Sequence, residues 1–83
     1  MMSGMLELDI HGMSRYQAKV FLESKIKRAR RDVYRIRVIH GFHGGTRIKS
    51  AIKREFGYGL EPKVLRIIPG ENEGITELVL REY

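Results

Sequence analysis

The chain has 83 residues and no cysteine. A chain this short buries only about 60% of its unfolded surface, and neither a disulfide nor a thiolate zinc site can add to that core. Sixteen Lys and Arg against ten Asp and Glu give a net charge of +6 and a pI of 10.0, which favours a polyanionic partner.

The basic residues are spread over several elements, which argues for nucleic acid over a membrane surface. The N-terminus lacks a basic stretch followed by an apolar one, and no apolar run is long enough to span a bilayer. Repeats and linkers are absent, so residues 1–83 read as a single cytoplasmic domain.

Met5 to His11 alternates, with Leu6, Leu8 and Ile10 on one face and Glu7, Asp9 and His11 on the other. That period of two predicts a strand with one buried face. Gly12 and Met13 make a turn. Ser14 and Gln17 fit a capping box, with Met13 and Ala18 stapling the helix entry. Ala18, Phe21, Leu22, Ile26 and Ala29 follow helical spacing, which predicts a helix to about Arg31. Lys25, Lys27, Arg28, Arg30 and Arg31 read as a solvated basic surface that also suits a phosphate backbone. Tyr16, Phe21 and Phe56 read as core or core edge.

Val33 to His40 predicts a second strand, with Arg35 and Arg37 facing away from Tyr34, Ile36 and Val38. Ile48, Ala51, Ile52 and Phe56 mark a second amphipathic helix, stopped at Gly57 and Gly59. Val64 to Ile68 and Ile75 to Leu80 are two strands of an antiparallel hairpin. The order is βαβαββ. It predicts an α/β two-layer sandwich: a four-stranded mixed sheet with both helices on one face. Asp9, His11, Arg35 and Arg37 are expected on the other face.

Ligands in such folds bind beyond the carboxyl ends of parallel strands. If the first two strands are parallel neighbours, His11-Gly12 and His40-Gly41 share one sheet edge. Gly41, Gly44 and Gly45 then let backbone amides approach a ligand. Thr46 is a plausible N-cap, and Arg47 and Lys49 sit in a first helical turn, where cations are disfavoured unless an anion lies between them. The loop has neither the Gly-Lys-Ser/Thr of a triphosphate loop nor the glycine spacing of a dinucleotide site. Gly41-Phe42-His43-Gly44 matches the Gly-x-x-Gly of KH domains, but that loop joins two helices and this one joins a strand to a helix.

Leu8-Asp9-Ile10-His11-Gly12 resembles the L-D-x-H-G signature of the Smr (small MutS-related) domain family. His40-Gly41-Phe42-His43 falls where that family has H-G-x-G, with His43 in place of the last glycine and Gly44-Gly45 after it. Gly74-Ile75-Thr76 looks like the family's close. The resemblance covers nearly the whole chain. It implies a fold similar to the C-terminal domain of translation initiation factor three, and endonuclease activity on DNA or RNA. Asp9 and His11 match its first motif, and His40 and Gly41 its second.

Phosphodiester cleavage needs a base, an acid and positive charge on the phosphoryl oxygens. Asp9 or a histidine suits the base, and His11 or His40 the acid. Gly41, Phe42, His43, Gly44, Gly45, Thr46, Arg47 and Lys49, with Arg35 and Arg37, form the expected phosphate and nucleic-acid contacts. Phe42 suits base stacking, and His43 an exposed loop contact. Each catalytic candidate has a structural counterpart: Asp9 bonding turn amides, or His40 bonding a carbonyl. No cofactor is expected, because Asp9, with Glu7 near it, falls short of a two-metal ligand set. The alternative is a non-catalytic nucleic-acid or ribosome-associated binding module of the same fold. A third role is protein interaction, with the basic surface serving solubility.

Overall fold

The computed structural model describes residues 4–42 and 45–82. Its elements are β1 (Met5–Asp9), α1 (Arg15–Arg28), β2 (Arg35–Ile39), α2 (Gly45–Phe56), β3 (Arg66–Pro69) and β4 (Ile75–Val79). Among the described residues the strands form one mixed sheet in the order β1-β2-β4-β3. β1 runs parallel to β2, while β4 is antiparallel to both β2 and β3. The βαβαββ order and the mixed sheet agree with the period-based reading.

Leu6 and Leu8 of β1 lie in register with Ile36 and Val38 of β2, and the latter two with Leu78 and Thr76 of β4. This row is the helix-facing side of the sheet. Ala18, Leu22 and Ile26 of α1 and Ile52 and Phe56 of α2 join it in one apolar core. Both helices therefore share one face. The α1 start is fixed as its residues dictate: Ser14 Oγ accepts from Gln17 N at 3.1 Å, and Gln17 Oε1 accepts from Ser14 N at 2.9 Å.

The opposite face is less open than the sequence implies. Glu7, Arg37 and Glu77 are cross-strand neighbours in one row. Arg37 reaches Glu7 at 3.4 Å and Glu77 at 3.5 Å, and Arg35 reaches Glu77 at 3.1 Å. Glu77 and Val79, on this face, are buried. Burying Glu77 is tolerable because two guanidiniums accompany it.

Several boundaries shift for local reasons. β1 stops at Asp9, two residues early, because the Asp9 carboxylate accepts from His11 N at 3.0 Å and turns the chain. α1 stops at Arg28, where Ala29 is extended, with φ −61 and ψ 130, and a turn closes from Val33 N to Arg30 O at 3.0 Å. Past α2, the left-handed residues are Tyr58, with φ 56, and Gly59, with φ 80, rather than Gly57. Tyr16 is 75% exposed and not core, because it falls about 120° around α1 from Leu22 and so off the buried stripe. No helix among the described residues is long and apolar enough to cross a membrane.

Candidate functional site

The parallel pairing of β1 and β2 brings both His-Gly segments to one edge. Ile10 N donates to Ile39 O at 2.8 Å, continuing the ladder past the strand ends. Gly41 has φ +81, and a Cβ built on it would lie 3.6 Å from the His11 Cβ. The hairpin before β4 forms a third wall: Gly74 O accepts from His40 N at 2.9 Å and from Gly41 N at 3.1 Å. Segments that are far apart in the chain thus meet because two parallel strands end side by side.

Asp9 and His11 form a pair at this edge. His11 Nδ1 lies 2.6 Å from Asp9 Oδ1, and the two side chains are 73% and 53% exposed. A carboxylate only accepts, so the imidazole donates from Nδ1. Among the described residues nothing engages Nε2, which is left to solvent. Asp9 thus bonds the amide of His11, ahead of the Gly12-Met13-Ser14 turn amides expected from the sequence, and holds the His11 imidazole as well.

The His11 hydrogen bond, and then the one from His11 N, lower the Asp9 carboxyl below its ordinary 3.8. A depressed folded-state value means that the pair stabilises the turn at neutral pH. That contribution is lost as pH falls through the folded value, not as pH rises. A carbon-detected NMR titration is expected to give an Asp9 midpoint under 3.8, returning toward it in His11→Ala. An unchanged midpoint in that variant would remove the pair.

His40 is placed differently. It is 3% exposed. Its Nδ1 lies 3.1 Å from Gly41 O, which can only accept, and its Nε2 lies 2.8 Å from Thr76 Oγ1. The ring sits beneath the loop, tying β2 to β4. Thr76→Val keeps the volume and leaves His40 Nε2 buried without its partner. It is expected to cost about 1–3 kcal/mol in urea unfolding.

The remaining candidates divide. Phe42 is 68% exposed at the edge and touches the hairpin near Gly74. Lys49 pairs with Glu73 at 3.5 Å. Arg35 and Arg37 are committed to the carboxylates on the far face of the sheet. Arg47 lies away from them, beside Arg15, Ser50 and Arg54. His43 and Gly44 lie outside the described residues; Gly45 and Thr46 open the α2 backbone, and the Thr46 side chain is likewise outside them. Among the described residues no three His, Asp or Glu side chains gather to hold a metal ion. Thr76, the partner of His40, is not a site residue that the sequence singles out, because no local pattern ties it to a histidine in another strand.

No protein-family model matches this chain, and no curated protein matches it. Among solved structures, its fold is similar to the Smr domain of Thermus thermophilus MutS2, with a TM-score of 0.77 and 24% identity. The match covers 93% of this chain and 99% of that one. The chain has an Smr-like fold.

Proposed function

We propose that this Smr-like domain binds nucleic acid and cleaves its phosphodiester backbone at the edge where Asp9 and His11 meet Gly41. The Asp9–His11 pair is the observation that carries this reading. A carboxylate on Nδ1 holds one tautomer and ring orientation and turns Nε2 outward as the working atom. With the carboxylate already bonded to the ring, Asp9 is an orienting group and His11 the general base.

RNA suits this site best. Its own 2′-hydroxyl is the nucleophile, so the protein need supply only one base. His11 Nε2 takes the hydroxyl proton, O2′ bonds to phosphorus, and the O5′ bond breaks. O5′ then takes a proton from water or from protonated His11. The products are a 2′,3′-cyclic phosphate and a 5′-hydroxyl. In this reading His40, closed off from solvent, supports the loop by holding Gly41 and Thr76 rather than acting as the acid.

Exposed aromatic faces at Phe42 and Tyr16 suit unpaired bases, each stack worth about 1–3 kcal/mol. Lys49 can exchange Glu73 for a phosphate, because the pair is long at 3.5 Å and its carboxylate stands in solvent, so it contributes little. Gly41 and the loop through His43, Gly44, Gly45 and Thr46 complete the proposed phosphate contacts. Arg35 and Arg37, already neutralised, are left out of them. The net charge of +6 supports a nucleic-acid partner, and the cysteine-free composition suits a cytoplasmic setting.

The test uses an end-labelled single-stranded RNA, its DNA counterpart and a supercoiled plasmid. Wild type is compared with Asp9→Asn and His11→Ala. Cleavage lost in both variants, with binding retained, supports the proposal. Binding without cleavage in all three proteins makes the chain a binding module. Affinity that does not fall as salt rises would remove phosphate contacts altogether.

A further inference from the structure

Arg15, Arg47 and Arg54 surround an open hollow on the outer side of the two helices, with Ser50 between them. Arg47, Ser50 and Arg54 are three and four residues apart, which puts them in one stripe along α2. Arg15 opens α1, which packs beside α2. All four side chains are exposed.

None of the three guanidiniums meets a carboxylate among the described residues. The acid nearest in sequence to Arg54, Glu55, is turned to Lys19 at 3.6 Å. Neither helix has an acidic residue in its first turn. Guanidiniums stay charged at any working pH, so three around one hollow repel one another until an anion enters. Arg35, Arg37, Lys49 and Arg66 do reach carboxylates, whereas Arg28, Arg30, Arg31 and Arg81 stand apart from any among the described residues and line no common hollow with these three. The guanidinium fork and the Ser50 hydroxyl are the donors that suit a phosphate.

The hollow's position gives it a use. α1 and α2 follow the parallel strands β1 and β2, so both helices start at the sheet edge that carries His11 and Gly41. Arg15 stands just past the turn that follows His11. Arg54 lies seven residues beyond Arg47, about 10 Å farther along the helix axis. A strand crossing the catalytic edge can therefore continue over the helices.

We infer that this hollow seats an internal phosphodiester of the bound strand, away from the bond presented to His11, and so sets the strand's register. The inference rests on the nucleic-acid reading above and extends it: of its residues, Arg15 and Arg54 have no role at the Asp9–His11 pair. A terminal phosphate monoester offers the same oxygens, so the test separates the two sources.

Binding of a fluorescent single-stranded RNA is followed by anisotropy over a potassium chloride series, on an Asp9→Asn background that suppresses cleavage. The variant Arg15→Ala/Arg47→Ala/Arg54→Ala is compared with Lys53→Ala/Arg66→Ala/Arg81→Ala, which removes the same charge from exposed positions outside the hollow. Losing one seated phosphate should reduce the slope of log K against log salt by about 1. The control triple should keep the parent slope. Arg47→Ala/Arg54→Ala should fall between them, and it serves if the first triple does not fold. Oligonucleotides with 5′-hydroxyl and 5′-phosphate ends should behave alike.

Equal losses in the two triples would mean diffuse charge and overturn the hollow while leaving the nucleic-acid reading intact. A loss seen only with the 5′-phosphate end would make the hollow an end reader and overturn an internal seat. If the parent shows no salt-dependent binding, both readings fall.

Discussion

His11→Ala is expected to slow strand cleavage by about 10²–10⁴-fold, the usual contribution of one positioned general base. Little else should change. The His11 side chain is 73% exposed and its ring hydrogen bond goes to Asp9, so removing the ring leaves no cavity in the core. Thermal unfolding at neutral pH should stay near wild type, and affinity for the strand should fall only modestly. Asp9→Asn should lose activity on the same scale for a different reason. An amide can donate to Nδ1 and so move the ring proton to Nε2, where the base is needed. Single-turnover rates on labelled RNA measure both effects. Rates within threefold of wild type in both variants would assign the cleavage to some other group.

Leu22→Ala should act on the fold and not on the chemistry. Leu22 is 0% exposed, in the middle of α1, where it packs against the sheet and α2. Removing a buried leucine side chain costs about 2–5 kcal/mol, from the lost apolar transfer and the void left behind. For a chain of 83 residues, total stability of roughly 0.05–0.15 kcal/mol per residue amounts to about 4–12 kcal/mol. The substitution thus removes a large share of it, and the urea midpoint should fall sharply. Val20→Ala on the same helix is the comparison, because Val20 is 46% exposed; its cost should stay within about 0.5 kcal/mol. A Leu22→Ala cost below about 1 kcal/mol would mean that α1 does not pack on the sheet as described.

The reading of elements from periodicity was most reliable where burial is one-sided. Leu6, Leu8, Ile36 and Val38 recur every second residue, and Ala18, Leu22 and Ile26 every fourth, because each element turns one face to a single core. Tyr16 escaped that logic: an aromatic in the first turn of a helix has the composition of a core residue, and only the helix's rotation against the sheet leaves it in solvent. Arg35 and Arg37 looked like free cations for the same kind of reason. Their partners, Glu7 and Glu77, lie on neighbouring strands, and strand register decides who faces whom.

The histidines show the division most clearly. Residue order alone determined the strand and helix sequence, the Ser14 cap, the turn at Gly12 and the coupling of Asp9 to a residue two places on. These depend on interactions within a few residues. Only the tertiary structure decided that His11 faces solvent while His40 is enclosed, that Thr76 is the partner of His40, and that Arg15 stands with Arg47 and Arg54. Each of these rests on strands or helices that are remote in the chain and adjacent in space. Hydrophobic periodicity says which side of an element is buried, but not which element covers it.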